Sequence, residues 1–150
     1  MNAAFYGTDW YGERLTFWFK SMGRASIVKA IMFRPTSEPD IYEIALGDLT
    51  SDGLIDLEVR SDNGDMEEVL STVAKALLFF LSDHLGAQVV IEASSDSRSR
   101  LYQMAIKREL ENLGDCLAVH GFEGENPEVL QRGKNYKRFV VSLRKDGLEF

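Results

Sequence analysis

The most readable chemistry lies in Ser94-Ser95-Asp96-Ser97-Arg98-Ser99-Arg100, between an apolar stretch and a helical pattern. A helix that starts there offers free backbone N–H groups and the positive end of its dipole, which suit an anion. Arg98 and Arg100 can add bidentate contacts to a phosphate or carboxylate, and Ser97 a hydroxyl. Helix capping alone also accounts for the serines. A second basic run, Arg132-Gly133-Lys134-Asn135-Tyr136-Lys137-Arg138, sets cations around a tyrosine, the mixture that binds phosphates and stacked bases. Arg132, Lys134 and Tyr136 therefore join Ser97, Arg98 and Arg100 as candidate anion-binding residues. Charges beside an exposed strand also serve to protect its edge.

Residues 38–68 carry eleven carboxylates against one arginine, Arg60. Asp48, Asp52, Asp56, Asp62 and Asp65 have oxygen chemistry, but Asp62-Asn63-Gly64-Asp65 lacks the ligand spacing of a calcium loop, so no metal is expected. Ser26-Ile27-Val28-Lys29 fits S-x-x-K, a motif whose serine opens a helix, whereas Ser26 falls in a predicted strand. His84 and His120 have no legible nucleophile beside them. Cys116, the single cysteine, excludes an internal disulfide and behaves as a small hydrophobe.

These residues need a scaffold. Leu15 to Lys20, Ala25 to Phe33, Ile41 to Leu46 and Leu54 to Val59 are rich in β-branched and aromatic residues and are separated by turn signals, which predicts four strands in a meander. Lys29 falls in the same alternation as Ile27, Ile31 and Phe33. The period then changes. Met66, Val69, Leu70, Val73, Leu77, Phe80 and Leu81 form one apolar face of a helix, with Asp62, Asn63 and Asp65 as capping candidates. Val89 to Glu92 reads as a buried strand, 98–113 as a second helix, and Cys116 to Phe122 and Phe139 to Leu143 as two closing strands. The expected fold class is α+β: one domain over 1–150, a twisted, mostly antiparallel sheet with two helices in the order ββββ-α-β-α-ββ.

At 150 residues, 45% apolar, the chain can bury an ordinary core. No apolar run approaches the length of a membrane helix, and the first residues lack a basic and apolar leader, so the expected compartment is the cytoplasm. A net charge of −7 disfavours indiscriminate nucleic-acid binding. The charge is uneven: residues 1–93 hold 7 Lys/Arg against 15 Asp/Glu, and 94–150 hold 10 against 9. A locally positive face follows from that split.

The element order of residues 25–144 resembles the Gcn5-related N-acetyltransferase fold. That resemblance implies that Arg60-Ser61-Asp62-Asn63-Gly64-Asp65 occupies the place of the loop that cradles the acyl-CoA pyrophosphate, with Met66 where the family pattern has a second small residue. Leu101-Tyr102 is similar to a later family segment, which makes Tyr102 the general-acid candidate and acetyl-CoA the cofactor. Leu46-Gly47-Asp48, Asn63-Gly64-Asp65, Ser97 to Met104 and Gly133-Lys134-Asn135-Tyr136 resemble a family of small uncharacterised bacterial proteins, which implies a shared fold and no mechanism. The leading expectation is a non-catalytic binding module whose basic loops engage an acidic protein surface or single-stranded nucleic acid. The alternative is an acyl-CoA-binding protein of transferase ancestry. A third reading is a homo-oligomer or protein partner that uses Trp10, Tyr11 and Trp18 as anchors.

Overall fold

Residues with strand chemistry dominate the molecule, and the sheet they form sets the position of everything else. The structure, a computed structural model, describes residues 9–11, 15–53, 55–56, 63–92, 108, 116–131, 134 and 136–143. In chain order the elements are β1 (Asp9–Tyr11), β2 (Thr16–Met22), β3 (Ser26–Pro35), β4 (Ile41–Leu49), β5 (Ile55–Asp56), α1 (Met66–Asp83), β6 (Gln88–Glu92), β7 (Leu117–Glu123), β8 (Asn126–Val129) and β9 (Arg138–Leu143). The nine strands make one sheet in the order β1-β2-β3-β4-β6-β9-β7-β8, with β5 paired to β4.

The expected ββββ-α-β-α-ββ order is corrected on three points. First, the sheet is mixed. β4 and β6 run parallel because α1 carries the chain between them, and a crossover of that kind returns a strand in the same direction. Second, β1 and β8 are additional strands. β8 hid behind Gly124 and Asn126-Pro127, which read as a loop; at the sheet edge a proline removes no ladder bond. Third, α1 is the one helix whose course the described residues trace, Arg108 being a single helical residue apart from it. The second predicted helix, 98–113, lies outside them except for Arg108.

β2, β3 and β4 form the antiparallel meander that the periodicity predicts, in registers such as Phe17↔Ile31 and Ile31↔Leu46. Alternation sends Phe17, Phe19, Ile31 and Phe33 to the face that α1 covers. From the helix, Val69, Ala76, Leu77, Phe80 and Leu81 meet them, and Val89, Phe139 and Val141 extend the core beneath the far strands. Phe80 stacks on Phe33 with ring centroids 4.1 Å apart, and His84 lies on Phe80 at 4.2 Å. The helix ends there, with the His84 N–H bonded to the Phe80 carbonyl.

β4 and β6 pair through only three residues each, Ile41↔Gln88, Tyr42↔Val89 and Glu43↔Val90. Beyond that seam Ile91 and Glu92 pair with β9, while β4 runs on to meet β5 at Asp48 and Leu49. Among the described residues the two parallel strands share no pairing beyond Glu43 and Val90, so a wedge of β4 edge, Ile44 to Gly47, lies between the β6 seam and β5. No described helix is long and apolar enough to cross a membrane.

Phe80 sits at the centre of this core and is fully buried. Phe80→Ala should cost about 3–5 kcal/mol, read as a lower urea midpoint at unchanged slope.

Candidate functional site

The tight turn between β2 and β3 is closed from outside by one asparagine. Asn63 Oδ1 accepts the Ala25 N–H at 2.8 Å, and its Nδ2 donates to the Ala25 carbonyl and to Ser21 Oγ, each at 2.9 Å. Its backbone carbonyl accepts the Arg24 N–H at 2.8 Å. A Cβ at Gly23 would stand 1.6 Å from that carbonyl oxygen, so the close approach requires glycine. Ser21 Oγ in turn donates to Asp65 Oδ2 at 2.5 Å. Asp65 precedes α1, yet its carboxylate makes no helix cap and turns to Ser21 instead. Ser21, Asn63 and Asp65 are all buried, and their mutual bonds satisfy polar groups that would otherwise be costly there. The clip pins the β2–β3 hairpin to the start of α1.

One register position further in lies a buried ion pair. Lys29 on β3 faces Asp48 on β4 directly, with Nζ 2.6 Å from Oδ1 and both side chains about a tenth exposed. Alternation puts the pair on the α1 face, with Phe19 beside Lys29 on β2. Two charges this deep gain little over an apolar pair, but either one alone is costly.

The far end of the sheet carries a third polar group. β8 is the edge strand and β9 lies two strands in, so the chain between the two strands has β7 to pass. Tyr136 fills that crossing. A Cβ at Gly121 would lie 2.3 Å from the Tyr136 ring, so the ring covers bare backbone. Its hydroxyl accepts the Gln131 N–H and donates to Glu128 Oε2, both at 3.1 Å. Lys134 Nζ sits 2.9 Å from Glu128 Oε1 and 2.8 Å from Glu123 Oε2. The hydrogen bond from Lys134, with a further one from Tyr136, holds the Glu128 carboxyl below its ordinary 4.5. The bonds to Glu123 and then Glu128 push the Lys134 ammonium above its ordinary 10.5.

Strand directions place all three groups at one end of the sheet. The C-terminal ends of β2, β4, β6 and β7 share it with the first residues of β3 and β9, and Asn63 brings the start of α1 to it. The wedge between β4 and β6 lies toward that end. Of the six sequence candidates, the structure describes Lys134 and Tyr136: a cation held by two carboxylates and a buried phenol. Ser97, Arg98, Arg100 and Arg132 lie outside the described residues, as does Tyr102. Sequence reasoning treated Asn63 and Asp65 as caps and Ser21 as part of a turn, whereas Ser21 lies in β2. One legible signal for the ion pair was the place of Lys29 in a core-facing alternation, which demands a buried counter-charge.

Two comparisons bear on identity. A family model described as a family of unknown function, DUF6934, matches residues 2–144, and the chain belongs to that family. A comparison with curated proteins finds no match.

Two predictions follow from these contacts. Lys29→Met should lower stability by about 3–5 kcal/mol, and adding Asp48→Leu should restore most of it, as a double-mutant cycle in urea would read. Glu128 contributes stability that is present above the ordinary 4.5 and lost as pH falls through its lowered value. Lys134 contributes below the ordinary 10.5 and loses its contribution as pH rises through its raised value. The stability gap between wild type and Glu128→Gln should therefore narrow below pH 4.5, measured as urea midpoints on an acid series.

Proposed function

We propose that the chain binds an extended, amide-bearing ligand with an anionic far end, a description that acyl-CoA fits, in the wedge between β4 and β6. The observation that carries this reading is the end of pairing between the two parallel strands after Glu43 and Val90. A strand edge recruits an extended chain through backbone hydrogen bonds. The C-terminal ends of parallel strands are also where such sheets generally take ligands.

The anionic end is assigned to the β6 side of the wedge. Ser97, Arg98 and Arg100 follow Glu92, the last residue of β6, by five, six and eight positions. The start of α1 is the weaker place for it, because Asn63 and Asp65 are committed to Ser21 and Ala25 and Asp65 brings a carboxylate. In this reading Arg98 and Arg100 take the phosphates, Arg132 adds positive potential, and Lys134 and Tyr136 brace the segment that leads to β9. Transferase activity would rest on Tyr102, as the proton donor to a departing thiol. An acidic protein surface or single-stranded nucleic acid would use the same arginines without the wedge.

Thermal unfolding with acetyl-CoA, and with ATP as anion control, tests this. At a hundred times the dissociation constant a ligand adds about 2.7 kcal/mol, a shift of roughly 5–10 °C at this size. The expected result is a shift with acetyl-CoA well above that with ATP, reduced in Arg98→Ala/Arg100→Ala. Equal shifts would replace the wedge with a general anion site, and no shift with either would overturn the reading.

A further inference from the structure

Among the five asparagines, Asn63 alone is followed by glycine; the others precede Ala3, Leu113, Pro127 and Tyr136. An Asn-Gly step is chemically fragile. The glycine N–H is unhindered, so its nitrogen can attack the asparagine Cγ and expel the side-chain nitrogen as ammonia, closing a succinimide. Water then opens the ring to aspartate or to isoaspartate, in which the backbone runs through the former side chain. The balance is one water in and one ammonia out, with no oxidant or cofactor.

The fold opposes each part of that reaction. Asn63 is only 5% exposed, which excludes the water. Its amide is committed at both ends: Oδ1 to the Ala25 N–H, Nδ2 to Ser21 Oγ and the Ala25 carbonyl. A longer contact at 3.4 Å runs from Nδ2 to the Ser21 carbonyl. These bonds direct the side chain toward the hairpin, and turning Cγ back onto the Gly64 nitrogen would break all of them together. The attack therefore waits on the hairpin leaving the start of α1.

We infer that Asn63 is a latent deamidation site, kept intact by the clip it forms and converted irreversibly whenever the clip opens. The change is a one-way record of unfolding. An aspartate at 63 cannot donate to Ser21 Oγ or the Ala25 carbonyl, and it sets a second carboxylate beside Asp65 where Ser21 has a single proton to give. The isoaspartate form lengthens the backbone just ahead of the helix. Either product refolds to a hairpin held to α1 by fewer bonds, since every bond donated by Nδ2 is gone. This inference does not depend on the proposed ligand.

Mass spectrometry of the tryptic peptide Ser61–Lys75 tests it after incubation in mildly alkaline buffer, with and without denaturing urea. In urea, Asn63 should convert faster than Asn112, whose next residue is leucine. Without urea its conversion should fall by more than about tenfold, since a stable domain is open only on the order of 10⁻³ of the time or less. Sub-denaturing urea should raise the rate step by step as opening becomes more frequent. Ser21→Ala, which removes one partner of the amide, should raise it in native buffer. Equal rates with and without urea, or no advantage of Asn63 over Asn112 in urea, would overturn the inference. Asn63→Asp should melt at lower temperature than wild type; an unchanged melting temperature would refute the claim that the product cannot restore the clip.

Discussion

A hairpin turn tucked against a helix start faces a problem of unsatisfied backbone. The N–H and carbonyl of Ala25 and the N–H of Arg24 point at protein, and each would cost free energy if left without a partner. Asn63 answers all three, its side-chain amide meeting both groups of Ala25 and its backbone carbonyl accepting the Arg24 N–H. The placement of α1 follows from this contact. With Asn63 bonded to the β2–β3 turn, the helix must run back across β2, β3 and β4, and that course lays Val69, Leu77 and Phe80 over Phe17, Ile31 and Phe33. The apolar core provides most of the stabilisation through buried area. The polar clip provides register, because a hydrogen-bonded asparagine tolerates no sliding.

The ion pair Lys29–Asp48 has a similar standing. An apolar pair at those two positions would fill the space as well, and the existing pair gains little net energy from its burial. Its effect is to reject alternatives: a two-residue slip between β3 and β4 would leave both charges unpaired on a face that α1 covers, and a one-residue slip would turn one strand's apolar set away from it. Glu128, Lys134 and Tyr136 act more loosely, at a partly exposed edge, where the same interactions hold a crossing segment rather than a core register.

Much of the scaffold was legible in the residues. The meander, the long helix, the strand at Gln88–Glu92 and the last two major strands all announced themselves by periodicity, since alternation of two and recurrence at three and four are direct consequences of backbone geometry. What escaped was whatever depends on pairing between distant segments. The parallel seam of β4 and β6 is set by the handed crossover of α1 and has no local mark, and β8 is built from residues whose local chemistry says turn. The polar centres divide in the same way. Asn63 and Asp65 carry a legitimate capping signature, and only the presence of a hairpin alongside redirects them. Lys134 and Tyr136 looked like a surface for anions because the glutamates that hold Lys134 are contributed by β7 and β8, eleven and six residues earlier.

The three-residue seam between β4 and β6 also divides the molecule kinetically. On one side, β2, β3 and β4 join through short turns, so their contacts form at low loop-closure cost. On the other, β6 meets β9 by bringing Gln88 to Ser142, and β7 must then insert on the outer flank of β9. Contacts of that separation are slow to find. The chain thus has a fast, local half that can shelter α1 early and a slow, non-local half that completes the sheet. Until β9 arrives, β6 offers an unpaired edge of Val89, Val90 and Ile91, and this is the stretch a newly made chain has most reason to keep from its neighbours.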